Sequence, residues 1–307
     1  MDILSDTLSA LRTGRPASVR TDARAPWGLR FPPVAGAGFH VVLQGSCLLV
    51  PPDGPPVPLG PGDVIFLRSG CQHLLCDDPA SPVRDFTPDP DDAGSPVGRI
   101  TVGGAGARAV VLCGAYHLDV ARHHPLLGDL PEVLHLPARV GWHQVLRSAI
   151  DQLSTELVRP TPGSDAVVVS LIDLLLVLIL RAWYDEQSPD RVEGWAAALT
   201  DPVIAPALHA MHDEPGRPWT VESLGDRAGL SRAAFARRFS AVLGEPPLSY
   251  LTTWRMTTAA RLLRDTDTTL HGIAESAGYT SEFAFAKAFK RRYDVPPGTY
   301  RRQHRAS

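Results

Sequence analysis

The sequence predicts a multi-domain protein: a β-sandwich or barrel comes first, a pair of helices follows, and an all-helical domain ends the chain. Its 307 residues suggest two domains at roughly 100–200 residues each. Short apolar runs alternate with Pro- and Gly-rich turns between Phe39 and Leu118, whereas apolar residues recur with a helical period from about Trp142 onward. Hydrophobic residues at 44% and charged residues at 21% exclude a chain that is disordered throughout.

The N-terminal region contains closely spaced short strands. The apolar runs are FHVVLQG (39–45), SCLLV (46–50), DVIFL (63–67), HLLC (73–76) and ARAVVLCGAYHL (107–118). Strands of this length, separated by Gly/Pro turns, are typical of an antiparallel sandwich or barrel. A polar loop is expected at about residues 85–98.

Two helices are predicted between residues 142 and 186. The first carries apolar residues at helical spacing, namely Val145, Leu146, Ile150, Leu153 and Leu157. The second runs from Asp165, its expected N-cap, to about Glu186 and is apolar nearly all round, so both of its sides must be covered. Two interpretations stay open: the pair is a dimer interface, or it packs within one chain. A short linker is expected at residues 187–191.

No secretory or membrane-spanning segment is expected. The start of the chain lacks a basic stretch followed by a long apolar one. The most apolar stretch, residues 166–180, contains Asp173 and is shorter than the ~20 residues that a membrane span needs. We therefore expect a cytoplasmic protein whose four cysteines are reduced thiols.

The charge is distributed unevenly. The net charge is −3 overall, but the chain from Asp213 onward contains 15 basic and 10 acidic residues, a net charge of +5. The first 212 residues carry a net of −8. A basic C-terminal third indicates a module that binds a polyanion, and uneven surface charge without a partner is the alternative.

One pattern occurs twice in the basic region. Trp219–Phe239 and Thr268–Phe289 each contain a short helix, a Gly, a hydroxyl residue that can cap the next helix, and a helix with a basic residue and two Phe. The Gly is Gly229 or Gly278, and the cap is Ser231 in the first copy and Thr280 or Ser281 in the second. This is a tandem helix–turn–helix, whose second helices can enter a major groove about 12 Å wide.

The C-terminal region resembles the DNA-binding domain of the AraC/XylS family of transcription regulators. The resemblance covers roughly residues 202–304 and is most specific in IAESAGYTSEFAFAKAFKRRYDVPPGTYRR (273–302). It implies two subdomains joined by a long helix at about residues 247–265, with one recognition helix in each of two successive major grooves. It also implies double-stranded operator or promoter DNA, RNA polymerase and a second copy of the chain as partners.

The resemblance assigns recognition residues in both copies. The first helix would present Arg232, Ala233, Ala236 and Arg237, and the second Ser281, Glu282, Phe283, Ala286 and Lys287. For Arg232 and Arg238, contact with phosphate or simple solvation is the alternative to base recognition. Core packing is the expected role of Phe235, Phe239, Phe285 and Phe289, and phosphate contact or solvation that of Lys290, Arg291 and Arg292.

The N-terminal region resembles the cupin-type sensor domain found in one AraC subgroup, over about residues 5–185. PGDVIFLRSGCQH (61–73) resembles the second cupin motif, with His73 at the motif histidine, and FHVVLQG resembles the strand of the first motif. The usual His-x-His and Glu ligands of that first motif are absent, because Gly36-Ala37-Gly38 occupies the region. His40 lies inside the strand instead.

Two kinds of sensor chemistry are predicted. His40, Cys47, His73 and Cys113 could together hold zinc or another divalent metal with tetrahedral geometry, although no CxxC supports this. The alternative is that Cys47 and Cys113 are small core residues and His73 is a structural or turn residue. Cys71 and Cys76 flank His73 and could form a redox pair, although on one strand positions of opposite parity face opposite sides.

The function expected from the sequence is sequence-specific DNA binding by a transcription regulator. A small-molecule, metal or redox signal in the N-terminal domain would control it. The alternative is a metal-dependent cupin enzyme with an accessory helical domain, which the missing ligands and the tandem motif both disfavour. The expected organisation is a sensor domain at 1–140, a helical pair at 141–190 and a DNA-binding domain at 200–305, with helix–turn–helix units at about 219–241 and 268–292.

Overall fold

The computed structural model describes residues 2–87, 97–118, 124–187 and 194–305. They form two compact units. The sandwich unit consists of residues 14–87, 97–118 and 130–187, and the helical unit of residues 2–13, 124–129 and 194–305. Most of the loop predicted at 85–98 and of the linker predicted at 187–191 lies outside the described residues.

Two β-sheets form the centre of the sandwich unit, as the sequence predicts. One has the strand order β11-β6-β3-β10-β1-β9 and the other β5-β4-β7-β2-β8. The strands are β1 (Ala17–Arg24), β2 (Gly28–Phe31), β3 (Ala37–Gln44), β4 (Cys47–Val50), β5 (Val57–Leu59), β6 (Val64–Leu67), β7 (His73–Cys76), β8 (Val83–Asp85), β9 (Gly98–Gly103), β10 (Arg108–Tyr116) and β11 (Val133–Leu136).

The apolar core of the sandwich unit lies between the two sheets. Ile65 and Val111 from the six-stranded sheet pack in one cluster with Leu29, Leu49 and Leu75 from the five-stranded sheet, and all are buried. Alternate residues of a strand point to opposite faces, so β3 contributes His40 and Val42 to this side. The opposite face of β3 is buried as well, which explains why the segment FHVVL forms a nearly continuous apolar run.

The predicted helical pair packs on the sandwich unit of the same chain. Its helices are α3 (Gln144–Val158) and α4 (Ser164–Glu186). The hydroxyl of Tyr116 donates to the carbonyl of Ile172 in α4 at 2.8 Å, and Arg20 donates to the carbonyl of Leu157 in α3 at 2.7 Å. These contacts support packing within one chain and leave dimerisation a prediction.

The N-cap of helix α4 lies two residues earlier than expected. Asp165 was predicted as its N-cap, but the cap is Gly163 and Asp165 lies in the first turn. Gly163 has φ of 93°, which glycine adopts without the steric cost that a side chain brings. By length and composition α4 could cross a membrane, yet half of its most apolar window is buried inside the protein.

The helical unit consists of ten helices in the part of the chain that the structure describes. They are α1 (Ile3–Leu11), α2 (Pro125–Gly128), α5 (Trp195–Thr200), α6 (Ala205–Asp213), α7 (Val221–Arg227), α8 (Arg232–Leu243), α9 (Pro247–Asp265), α10 (Leu270–Ser276), α11 (Glu282–Tyr293) and α12 (Pro297–Arg305). The all-helical C-terminal domain is therefore confirmed.

Two segments from the first half of the sequence belong to the helical unit, which differs from the predicted boundaries. The first is α1, whose last carbonyls accept hydrogen bonds from Arg264 of α9, at 3.0 Å to Ala10 and 2.8 Å to Arg12. The second is the segment 124–129, where the Asp129 carboxylate accepts from the backbone N–H of Trp195 at 2.5 Å. Neither segment carries a sequence motif that predicts its packing in the helical unit.

Candidate DNA-binding surface and sensor site

The first helix–turn–helix consists of α7 and α8. Thr220 caps α7 through a reciprocal pair of hydrogen bonds with Ser223. Gly229 has φ of 66° at the turn, a conformation that suits glycine, and the hydroxyl of Ser231 caps α8. Phe235 and Phe239 are fully buried, so their predicted core role is confirmed.

The second helix–turn–helix, α10 and α11, repeats this construction. Gly278 has φ of 74°, and of the two candidate caps it is Ser281 whose hydroxyl accepts from the backbone N–H of Ala284, at 3.2 Å. Phe285 and Phe289 are buried like their counterparts in the first copy. The two recognition helices are therefore anchored in the same way, by an N-terminal hydroxyl and two phenylalanines.

Most predicted recognition residues lie on the surface of the helical unit. The exposed ones are Arg232, Ala233 and Arg237 on α8, and Ser281, Glu282, Phe283 and Lys287 at the start of or on α11, whereas Ala236 and Ala286 are half-buried. Their contact with DNA stays a prediction. The half-buried alanines leave room for close approach but offer no polar group.

Arg238 has a partner within the unit. Its guanidinium lies 2.8 Å from the carboxylate of Asp201. This ion pair lowers the pKa of Asp201, against the opposing effect of its partial burial. Arg238 thus connects α8 to the turn before α6, whereas Arg232 and Arg237 on the same helix are exposed.

Arginines of the long helix α9 have structural roles that the sequence did not reveal. Arg255 donates from Nε to the carbonyl of Pro215 at 2.6 Å and from Nη2 to that of Arg217 at 2.8 Å. Arg264 is 9% exposed and also donates to the hydroxyl of Tyr300 at 2.9 Å. Both count toward the basic charge of the region, yet their donors face carbonyl and hydroxyl oxygens of the unit itself.

The sandwich unit buries a pair of histidines between its sheets. Nε2 of His40 on β3 lies 2.6 Å from Nε2 of His73 on β7, and the side chains are 2% and 7% exposed as residues. Nδ1 of His73 faces the carbonyl of Cys71 at 2.7 Å. A carbonyl only accepts, so Nδ1 of His73 carries the proton and its Nε2 accepts from His40.

This tautomer leaves Nδ1 of His40 as a lone-pair acceptor. It is buried and has no hydrogen-bond partner among the residues that the structure describes. Burial lowers the pKa of both imidazoles, and the charge of His73 lowers that of His40 further. The ring of Phe31 stacks on His73 with centroids 5.0 Å apart. The pair is therefore neutral at ordinary pH and sits in apolar surroundings with one unsatisfied acceptor.

The predicted four-residue metal site does not form. In the described ranges no group of three or more His, Cys, Asp or Glu side chains lies close enough to hold a metal ion. Cys113 pairs with His40 in the sheet, but its sulfur lies 3.6 Å from the hydroxyl of Thr21. Cys47 and Cys113 pack in the apolar cluster between the sheets. The structure thus brings the two histidines into contact, whereas the two cysteines pack in the apolar cluster and do not join them as ligands.

All four cysteines are free thiols. Burial raises the pKa of Cys47 to about 12 and that of Cys76 to about 11, and it raises the pKa of Cys113 and, less, of half-exposed Cys71. Since the thiolate is the reactive form, these thiols react slowly with oxidants. The redox pair proposed for Cys71 and Cys76 gains no support from an activated thiolate and stays a prediction.

The acidic residue of the sequence motif has a structural role. Asp63 follows Gly62, whose φ is 85°. Its carboxylate accepts from the backbone N–H of Gly60 at 3.0 Å and of Ala138 at 2.7 Å, and it lies 3.1 Å from Nε2 of His135. Asp63 thus connects the turn before β6 to the segment after β11, and this role is structural.

Comparisons with known proteins agree with both units. A family profile described as Cupin matches residues 2–185, and one described as Helix-turn-helix domain matches residues 224–303. An AraC-like transcription regulator of Streptomyces lividans is 36% identical over 98% of this chain and 98% of its own length. The chain belongs to the AraC-like transcription regulators.

Other relatives extend this similarity. The HTH-type transcriptional regulator MtrA of Neisseria gonorrhoeae is 30% identical to this AraC-like regulator over 99% of each chain. Among solved structures, the DNA-binding domain of AdpA in complex with a target DNA is 34% identical, with a TM-score of 0.33 over 35% of this chain and 96% of that one. Both relatives match over nearly their full length and are named as transcription regulators. This favours a DNA-binding regulator over the alternative of a metal-dependent enzyme.

Proposed function

We propose that this regulator binds its operator by placing α8 and α11 in successive major grooves, and that the sandwich unit receives the signal that controls it. The observation that carries the first part is the repeated, exposed face of the two recognition helices. Arg237 and Lys287 occupy equivalent positions on them, 50 residues apart, and both are exposed. An arginine can bind guanine through two hydrogen bonds, and a lysine can reach the same edge.

The test uses full-length protein and an operator selected from a random duplex library. Arg237→Ala and Lys287→Ala should each weaken binding to that operator by about 1–3 kcal/mol and relax the sequence preference at one position. Fluorescence anisotropy at several salt concentrations measures both effects. Arg84→Ala, which removes an exposed cation of the sandwich unit on β8, is the matched control and should change neither.

Two results would contradict this assignment. Equal weakening on all sequences, with a salt slope lower by about one, would make the residue a phosphate contact. Unchanged affinity in both variants would mean that these helices do not read the operator.

The second part concerns where the signal binds. The buried acceptor at Nδ1 of His40 supports a ligand that donates a hydrogen bond beside the His40–His73 pair. Two imidazoles fall short of the four ligands of a structural zinc site, so zinc or another divalent metal lacks a complete set of protein ligands here. A small polar molecule therefore suits the pair better than a closed metal site or an activated thiol.

His73→Ala tests the position of the signal site. Operator binding is measured with zinc chloride, with hydrogen peroxide, and with a panel of small metabolites chosen by thermal shift, alongside the metal content of purified protein. Whichever addition changes wild-type affinity should lose its effect in His73→Ala and keep it in His117→Ala, which removes an exposed histidine of the same unit. A His73→Ala protein that responds like wild type places the signal elsewhere.

The assembly and its location are part of the same proposal. We infer that two copies bind DNA together in the cytoplasm and that the bound dimer contacts RNA polymerase. Val145, Val158 and Leu174 are exposed apolar residues of α3 and α4, which supports association through this pair. Sedimentation of the full chain tests it: a monomer at the concentrations that saturate operator DNA would remove the dimer.

A further inference from the structure

Phe283 is an exposed aromatic residue on the second recognition helix. It lies in the first turn of α11 and is 81% exposed, whereas Phe285 on the same helix is 1% exposed. The packing of the helical unit therefore does not require an aromatic side chain at this position. Lys287 follows four residues later, so the two side chains share one face of the helix.

The first recognition helix provides an internal comparison. The two copies align at an offset of 50 residues, with Ser231 and Ser281 as caps. At the same offset Ala233 stands where the second copy has Phe283, and Arg232 where it has Glu282. Identical anchoring thus presents different chemistry: a cation and a small residue in one groove, an anion and a large apolar ring in the other.

We propose that Phe283 reads the methyl group of a thymine in the major groove bound by α11. This rests on the proposed function above, in which α11 enters a major groove. A phenyl ring offers no hydrogen bond to a base edge or a phosphate, and the thymine methyl is the apolar group that the major groove displays. The carboxylate of Glu282 beside it repels phosphate and can accept a hydrogen bond only from an amino group of a base. This turn of the helix therefore faces bases and not the DNA backbone.

The consequence is an operator with two unlike halves. The subsite of α8 is read through the arginines Arg232 and Arg237, which prefer guanine. The subsite of α11 contains at least one thymine whose methyl group contacts Phe283. The residue therefore determines specificity without contributing a hydrogen bond.

The experiment removes the methyl group alone. Full-length protein selects its operator from a random duplex library, and each thymine of that operator is then replaced by uracil, one at a time. Fluorescence anisotropy should find a thymine in one half whose replacement weakens binding about fourfold, the factor expected from losing the burial of one methyl group.

Two variants locate the effect on Phe283. Phe283→Ala should bind the thymine and uracil operators equally, with an affinity close to that of wild type for the uracil operator. The protein should fold normally, since the side chain is exposed. Leu248→Ala, which removes a 41% exposed apolar side chain at the start of α9, is the matched control and should keep the fourfold difference.

Several outcomes overturn the proposal. If no uracil substitution changes wild-type affinity, no thymine methyl is read. If Phe283→Ala weakens both operators by the same factor, the ring contacts the backbone of DNA instead. If it binds both DNAs like wild type but fails to support transcription in a reconstituted assay, the ring contacts a protein partner. A wild-type protein that selects no sequence at all contradicts the proposed function itself.

Discussion

Among the described residues, four histidines are buried, two in each unit, and burial lowers the pKa of each one. In the helical unit, the hydroxyl of Tyr250 accepts from the indole N–H of Trp195 at 3.1 Å and lies 2.7 Å from Nε2 of His212. The ring of His212 stacks on Trp254 with centroids 3.9 Å apart. His124 contacts Trp195 and Tyr250 edge-on, with centroids 5.8 Å and 6.2 Å away. These aromatic contacts exclude the water that would be needed to solvate a protonated imidazole.

This burial predicts that acid destabilises the helical unit. Burial lowers the pKa of His212 to about 3 from the ordinary 6.5, with a further contribution from His124 and His209. Between these values the unfolded chain binds a proton that the folded chain does not, so stability falls as pH falls. From pH 7 to 5 the free energy of unfolding should drop by about 2 kcal/mol for this one histidine.

Urea denaturation at a series of pH values measures the effect. His212→Asn should flatten the dependence of unfolding free energy on pH below 6.5, by up to about 1.4 kcal/mol per pH unit. His271→Ala removes an exposed histidine of α10 in the same unit and should leave the slope unchanged. An unaltered slope in His212→Asn would show that His212 is protonated in the folded protein.

The element that most changes the expected organisation is α1. Arg264 of α9 is almost fully buried, and its guanidinium donates to the last carbonyls of α1 and to Tyr300 of α12. A cation at the C-terminal end of a helix also meets the negative end of the helix dipole. One arginine therefore joins three helices of the unit.

Deleting residues 2–13 should destabilise the helical unit by about 3 kcal/mol. The deletion removes two of the carbonyl acceptors of Arg264 and leaves a buried charge poorly paired. Hydrogen exchange in α9 and α12 should accelerate, and Arg264→Met in the shortened chain should restore part of the protection. Exchange rates equal to those of the full chain would mean that α1 contributes nothing to this unit.

At the scale of the whole molecule, local sequence patterns predict the fold class well. They predict less well where each segment packs. Short apolar runs between Gly/Pro turns, the repeated helix–turn–helix and the serine caps of its recognition helices follow from local sequence, and the structure confirms the fold that they predict. His40 and His73 meet because each lies on a strand that the motifs identify. Cys47 and Cys113 lie on neighbouring apolar strands, which predicts burial of the thiols, but which way a core thiol points depends on packing across the sheets.

Long-range packing accounts for what the sequence did not reveal. The strand β1, with Arg and Asp alternating among small residues, has little apolar signal, yet it lies between β10 and β9 in the six-stranded sheet. Arg255 and Arg264 add to the basic charge of the region, yet they donate to carbonyl oxygens of the helical unit itself. Such roles depend on partners tens or hundreds of residues away, which no local pattern encodes.

The discontinuity of the two units limits how the protein can be divided or recombined. The chain passes from the helical unit to the sandwich unit after residue 13, returns for residues 124–129, leaves again, and re-enters after residue 187. A single cut near residue 190 therefore releases a C-terminal fragment that lacks two of its own packing segments. Chimaeras that exchange sensors between relatives need matched residues 2–13 and 124–129 along with the C-terminal helices.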